Sequence, residues 1–132
     1  MVLVTMTSPL LAAELNVENA RLRQLLPGQN KTAGYFDITN NGLAAVVLIG
    51  ASSEAADVIE IHRTTRDDNV ARMRRVEEVV IAPAETVRFE PGGLHLMLYR
   101  ISVLADLTQV QLLTTSGEQI GAVFRQVPVG VE

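Results

Sequence analysis

His62, Met73, His95 and Met97 place two imidazoles and two thioethers between residues 62 and 97 of this chain. The remaining methionines, Met1 and Met6, sit in the first few residues, and there is no cysteine. Thiolate metal sites, disulfides and thiol nucleophiles are therefore excluded together. Thioether sulfur is soft and uncharged and selects Cu(I), whereas imidazole binds copper in either oxidation state. Zinc favours thiolate, imidazole and carboxylate, so this donor set suits it poorly. Four neutral donors can hold a cuprous ion provided only that both imidazoles are unprotonated. Taken singly, a strand histidine is usually a hydrogen-bonded surface group, and a methionine usually fills a gap in a core. That bland explanation would have to hold four times over.

The elements around these residues decide whether they can meet. In "LHLMLY" (94–99) successive side chains of a strand point to opposite faces. Leu94, Leu96 and Leu98 then form a core row, and His95, Met97 and Tyr99 share the other face. The same parity in "DVIEIH" (57–62) puts Ile59 and Ile61 inward, and Val58, Glu60 and His62 on the far face. Met73 lies in "ARMRRV" among Arg72, Arg74 and Arg75, a poor setting for core packing. Glu60 can orient the His62 ring, as carboxylates commonly do beside metal-binding imidazoles. Tyr99 continues the His95–Met97 row and can shield an ion. Arg63, Arg72, Arg74 and Arg75, with Arg66 nearby, read either as a docking rim for an acidic partner or as a solvated face balanced by Asp67, Asp68, Glu77 and Glu78.

The rest of the chain breaks into short apolar stretches between turn signals. Pro27-Gly28 predicts a turn after a first strand. Asn40-Asn41-Gly42, between "YFDIT" and "LAAVVLIG", predicts a hairpin, and Ser116-Gly117 predicts a closing one. "NVARMRRVEEVV" has helical propensity, but its valines and its neighbours favour strands. Seven or eight short strands at this spacing predict an all-β single domain, an antiparallel sandwich or Greek-key barrel.

Composition agrees. At 132 residues, 48% hydrophobic and few of them aromatic, the chain holds one core rich in Val, Ile and Leu. A net charge of −4 argues against nucleic acid as a partner. No apolar run reaches the roughly 20 residues of a membrane span. Residues 1–13, apolar and ending in Ala12-Ala13, read as a signal-peptide remnant, leaving 14–132 as the folded domain. No G-x-S-x-G or H-E-x-x-H motif is present, so no enzyme is expected.

The spacing His62, ten residues, Met73, twenty-one residues, His95, one residue, Met97 resembles the H-x10-M-x21-H-x-M signature of the PCu(A)C family of periplasmic copper chaperones. "AGYFDITNNG" (33–42), "VIEIHRTT", "ARMRRV" and "PGGLHLML" resemble the segments of that family in order. The resemblance implies a cupredoxin-like Greek-key β-barrel, and the chain is expected to be a monomer. It implies Cu(I) as the bound ion, His62, Met73, His95 and Met97 as its ligands, and an exported, periplasmic location. It also implies delivery towards the CuA centre of cytochrome c oxidase, with subunit II or a Sco-type chaperone as the accepting protein. The chain departs from members that carry a further Met beside the first His, where it has Arg63, or a Met/His-rich tail, where it reads "VPVGVE". A second, Cu(II)-accepting site is therefore not expected. The competing expectation is a non-catalytic β-sandwich interaction module whose His and Met residues are incidental.

Overall fold

In the computed structural model, residues 14–132 are described, and they form strands without a helix. The signal-peptide expectation for residues 1–13 lies outside the described residues. The strands are β1 (Leu15–Arg23), β2 (Thr32–Asn40), β3 (Val46–Ser53), β4 (Ala56–Asp67), β5 (Val70–Arg75), β6 (Val79–Ile81), β7 (Thr86–Phe89), β8 (Leu94–Tyr99), β9 (Leu107–Thr114) and β10 (Gln119–Val127). Hydrogen bonding runs β4–β8–β2–β1–β10–β9–β3, and pairing of β3 with β4 closes the barrel. Short β7 lies beside β2 and β8, and β6 extends the ladder beyond β3. Neighbours are antiparallel except β1 with β10 and β7 with β8. Closure joins the edges of the barrel wall itself, and β5 and β6 remain the outermost strands.

Alternation in the strands fills the interior. Leu22, Phe36, Ile38, Leu48, Ile61, Phe89, Leu96, Leu98, Leu112 and Phe124 are almost wholly buried. Each Leu or Phe so buried contributes roughly 1.5–3 kcal/mol. Phe36 stacks on Phe89 with ring centroids 4.2 Å apart and meets Phe124 edge-on at 5.7 Å. The parity expected for β4 and β8 holds: Ile59, Ile61, Leu94, Leu96 and Leu98 face the core.

The turns divide. Pro27-Gly28 is a turn, with Gly28 at φ +82° and the Gln29 N–H donating to the Leu26 carbonyl at 3.0 Å. Gly117, at φ +86°, closes the β9–β10 hairpin. The hairpin expected at Asn40-Asn41-Gly42 does not exist. β2 pairs with β1, β7 and β8, whereas β3 pairs with β4, β6 and β9. The segment is a corner between opposite sides of the barrel, and Gly42 lacks the positive φ of a tight hairpin turn. Asn40 explains the corner. Its buried side chain donates to the Ala44 and Ile81 carbonyls at 2.8 and 3.0 Å, and its Oδ1 accepts the Gly42 N–H at 2.9 Å.

"NVARMRRVEEVV" forms two strands, as expected, but they join different partners. β5 pairs with β4 and β6 with β3. The β4–β5 turn has Asp68 at φ 50° and Asn69 at φ 64°. Two successive positive φ values define a type I′ hairpin, and Asp and Asn tolerate them better than other non-glycine residues. The β5 residues are all exposed, so the β4–β5 hairpin is an arm reaching past the barrel wall.

Candidate metal centre

The site grows from one row of cross-strand neighbours. His62 on β4 stands directly opposite His95 on β8, and on its other side opposite Arg75 on β5. One step along, Glu60 faces Met97, which in turn faces Ala33 on β2. One step the other way, Thr64 faces Met73. Paired residues share a face, so the register brings all four candidate donors to the outer side of one sheet. Thr64, Gly93 and Ala33 are small residues beside them, which leaves room for the long Met side chains. The expectation from parity is met for His62, His95 and Met97, and the β4–β5 register adds Met73 to the same face.

Their exposure differs. His95 is 4% exposed, His62 and Met97 are half-buried, and Met73 on the arm is 60% exposed. Met73, His95, Met97 and Thr64 line one cleft of about 530 Å³, walled by Tyr35, Arg23, Val129 and the turn around Gly28. His95 is thus roofed by the loop after β1 and is not an open surface group. Tyr35 and Arg23 were not singled out in the sequence, although alternation from Ala33 along β2 places Tyr35 on this face.

Each imidazole has one nitrogen held and one bare. The Nδ1–H of His95 donates to the Gly93 carbonyl at 3.1 Å, and its Nε2 is buried without a partner among the described residues. The Nε2–H of His62 donates to Glu60 Oε2 at 2.9 Å, and its Nδ1 likewise is buried with no partner among the described residues. A ring fixed through one nitrogen by a carbonyl or carboxylate, with the other nitrogen free, is the usual preparation of a metal-binding histidine. The Tyr99 hydroxyl lies 3.4 Å from His62 Nε2, so both Glu60 and Tyr99 attend the ring from the side away from the bare nitrogen. The ring centroids of His62 and His95 are 5.9 Å apart. With metal–nitrogen bonds of about 2 Å, two imidazoles on one ion have centroids at most about 6.4 Å apart, so the observed separation lies within the reach of one ion.

Electrostatics keep the donors available. Burial holds the His95 imidazole below its ordinary pKa; the Gly93 carbonyl opposes this, and His62 and Arg23 reinforce it. Its hydrogen bond to His62 is the first cause holding the Glu60 carboxyl below its usual range. Burial, then the Glu60 charge, raises the Tyr99 hydroxyl. A neutral His95 beside an ionised Glu60 is the protonation state a cation requires.

The arginines separate by register. Arg75 shares the donor face, as does Arg66, whereas Arg63, Arg72 and Arg74 point to the reverse of the arm.

The sequence profile described as "Putative lipoprotein LpqE-like" matches residues 15–129. The chain belongs to the LpqE-like family. This LpqE-like chain is 32% identical over 72 residues to "Putative lipoprotein Lxx21020" of Leifsonia xyli subsp. xyli (strain CTCB07), covering 54% of this chain and 43% of that protein. It is 35% identical over 71 residues to "Uncharacterized protein RP573" of Rickettsia prowazekii (strain Madrid E), covering 53% and 39%. The aligned part spans less than half the length of either relative. Among solved structures, the copper-bound PCuAC domain from PmoF2 superposes with a TM-score of 0.74 at 20% identity, covering 89% of this chain and 96% of that one. The solution structure of CuI-DR1885 from Deinococcus radiodurans gives 0.67 at 22% identity, covering 96% and 84%. The fold of this LpqE-like chain is therefore the PCuAC fold, the cupredoxin-like barrel that its sequence implies.

Proposed function

We propose that this chain is an exported Cu(I) carrier without turnover, which binds one cuprous ion and yields it to a protein partner. His62 would bind through Nδ1 and His95 through Nε2, joined by the thioethers of Met73 and Met97. Glu60 and the Gly93 carbonyl orient the two rings. The carrying observation is the pair of bare, buried imidazole nitrogens on the same face as both methionines. Polar atoms are rarely left unsatisfied in a folded interior, and two on neighbouring rings ask for a ligand. Nearby thioethers make Cu(I) the ligand that suits the whole set. The copper bound by structural neighbours of the same fold supports this reading. The lipoprotein names among the relatives support export, and a periplasmic site of action agrees with a soft-metal carrier lacking cysteine. In the finer reading, the acceptor is the CuA-bearing subunit II of cytochrome c oxidase or a Sco-type chaperone.

Anaerobic Cu(I) titration against a competing chelator, followed by X-ray absorption, tests the reading. One ion per chain with two sulfur and two nitrogen scatterers is expected. Absence of uptake, or uptake indifferent to removal of Met73 and Met97 together, would overturn it.

A further inference from the structure

The arm that carries Met73 is the most basic part of an acidic chain. Arg63, Arg66, Arg72, Arg74 and Arg75 lie on it, against Asp67 and Asp68 at its tip, while the net charge of the whole is −4. Among the described residues the ion pairs are Arg23–Glu132, His62–Glu60 and Arg100–Asp57, so none of the five arm arginines is in a direct ion pair, although Arg75 lies near enough to Glu60 to help lower its carboxyl. Arg63 and Arg74 stand directly opposite each other on the reverse of the arm. A basic arm on an acidic chain is suited to an anion from outside.

Register narrows where that anion must come. Arg66 pairs with Ala71, Thr64 with Met73 and His62 with Arg75. Arg66 and Arg75 therefore flank Met73 on the donor face. Met73 is also the most exposed of the four donors. An incoming protein that takes the ion by ligand exchange must bring its own soft donors to the exposed side, past Met73. In doing so it passes between Arg66 and Arg75. Neutral donors leave the single positive charge of Cu(I) uncancelled, so the loaded face is more cationic still.

We propose that Arg66 and Arg75 form the docking contact for a copper-accepting protein whose own His or Met donors are flanked by carboxylates. The proposal rests on the carrier reading above and adds the partner's chemistry and the face it meets. Arg63, Arg72 and Arg74 lie on the reverse of the arm and do not take part in this contact. An anionic lipid surface offers charge but no soft donor, and it would not distinguish the two faces of the arm.

The test uses the Cu(I)-loaded protein and two synthetic peptides with the same Met and His donors, flanked in one by Asp and in the other by Lys. Transfer is followed by stopped-flow. At about 0.1 M salt, where screening acts over roughly 10 Å, the Asp peptide should take copper at least about 5-fold faster, since complementary charge acts on encounter. The preference should shrink at about 1 M salt. The R66Q/R75Q variant should lose the preference, and R63Q/R74Q should keep most of it; because Arg75 stands opposite His62, chelator competition on each variant separates a change in Cu(I) affinity from a change in peptide preference. Equal rates for the two peptides, or loss of preference in R63Q/R74Q as complete as in R66Q/R75Q, would overturn the docking assignment. So would binding to phosphatidylserine vesicles that all five arginines support alike with no peptide preference. Failure of the wild-type protein to load Cu(I) at all would instead remove the carrier reading, and this proposal with it.

Discussion

His62 and His95 face each other across the β4–β8 ladder with ring centroids 5.9 Å apart, each presenting one buried nitrogen that none of the described residues satisfies. An unpaired buried acceptor costs about 1–3 kcal/mol. The metal-free fold therefore carries a penalty where it binds its ion. Removing the polar ring should relieve it. His95→Leu is close in volume, and the Gly93 carbonyl it deserts still accepts the Thr64 N–H at 3.0 Å. Apo His95→Leu is expected to be as stable as the parent or up to about 1 kcal/mol more so, while losing Cu(I) binding. Urea denaturation of both proteins checks it. A loss beyond about 1.5 kcal/mol would mean that the ring contributes packing which leucine does not restore.

The same ring sets an acid limb. Burial depresses the folded-state pKa of His95 below its ordinary value of 6.5. As pH falls through that ordinary value the unfolded chain takes up a proton that the folded chain refuses. Stability of the apo protein is thus unaffected by this group at higher pH, declines as pH drops below about 6.5, and levels off once the folded ring also protonates. The stability gap between His95→Leu and the parent should widen in favour of the variant over that acidic interval. Denaturation midpoints at a series of pH values would show parallel curves if the ring were not held neutral.

Met73 should separate binding from folding. It is 60% exposed on a strand that buries nothing. Met73→Ala is expected to shift stability by no more than about 0.5 kcal/mol. Cu(I) affinity should nevertheless fall by at least about 10-fold, because disturbing even an orienting neighbour of a metal ligand costs that much. Chelator competition and thermal melting on one sample read both quantities.

Glu60 touches the His62 ring and not the ion, so its variants should be graded. Glu60→Gln retains an oxygen that can accept the Nε2–H, whereas Glu60→Ala leaves that nitrogen with Tyr99 at 3.4 Å. Affinity should fall about 10- to 100-fold in Glu60→Ala and less in Glu60→Gln. Equal losses would show that the charge of Glu60, and not its orientation of the ring, is what matters.

The donor face was legible in the sequence because it depends on strand parity, a property of each segment by itself. "LHLMLY" and "DVIEIH" place their apolar and donor residues correctly without knowledge of their partners. Partner choice was less legible. Asn40-Asn41-Gly42 has the composition of a tight turn, yet the decisive interaction is between Asn40 and the Ile81 carbonyl, far along the chain. The one-sided grouping of Arg66 and Arg75 likewise depends on the β4–β5 register, which the Asp68-Asn69 turn sets. That pair was a readable type I′ signal, hidden inside a run of charged residues.

Asn40 provides the corresponding stability test, far from the metal. Its side chain is fully buried and satisfies two carbonyls, from Ala44 and Ile81, besides accepting the Gly42 N–H. Its backbone also engages the next corner, donating to the Glu85 carbonyl at 2.9 Å and accepting the Ala84 N–H at 2.7 Å. Asn40→Ala deprives both carbonyls of this donor and frees the Gly42 N–H, at a cost of about 2–4 kcal/mol. Asn40→Asp should be worse, since it replaces the amide donor with a carboxylate facing two carbonyl oxygens in a buried site. Neither change touches the donor face, so whatever protein remains folded should still bind one Cu(I) with parent affinity. A mild effect of Asn40→Asp on the melting temperature would show that the crossover from β2 to β3 is held by backbone pairing alone.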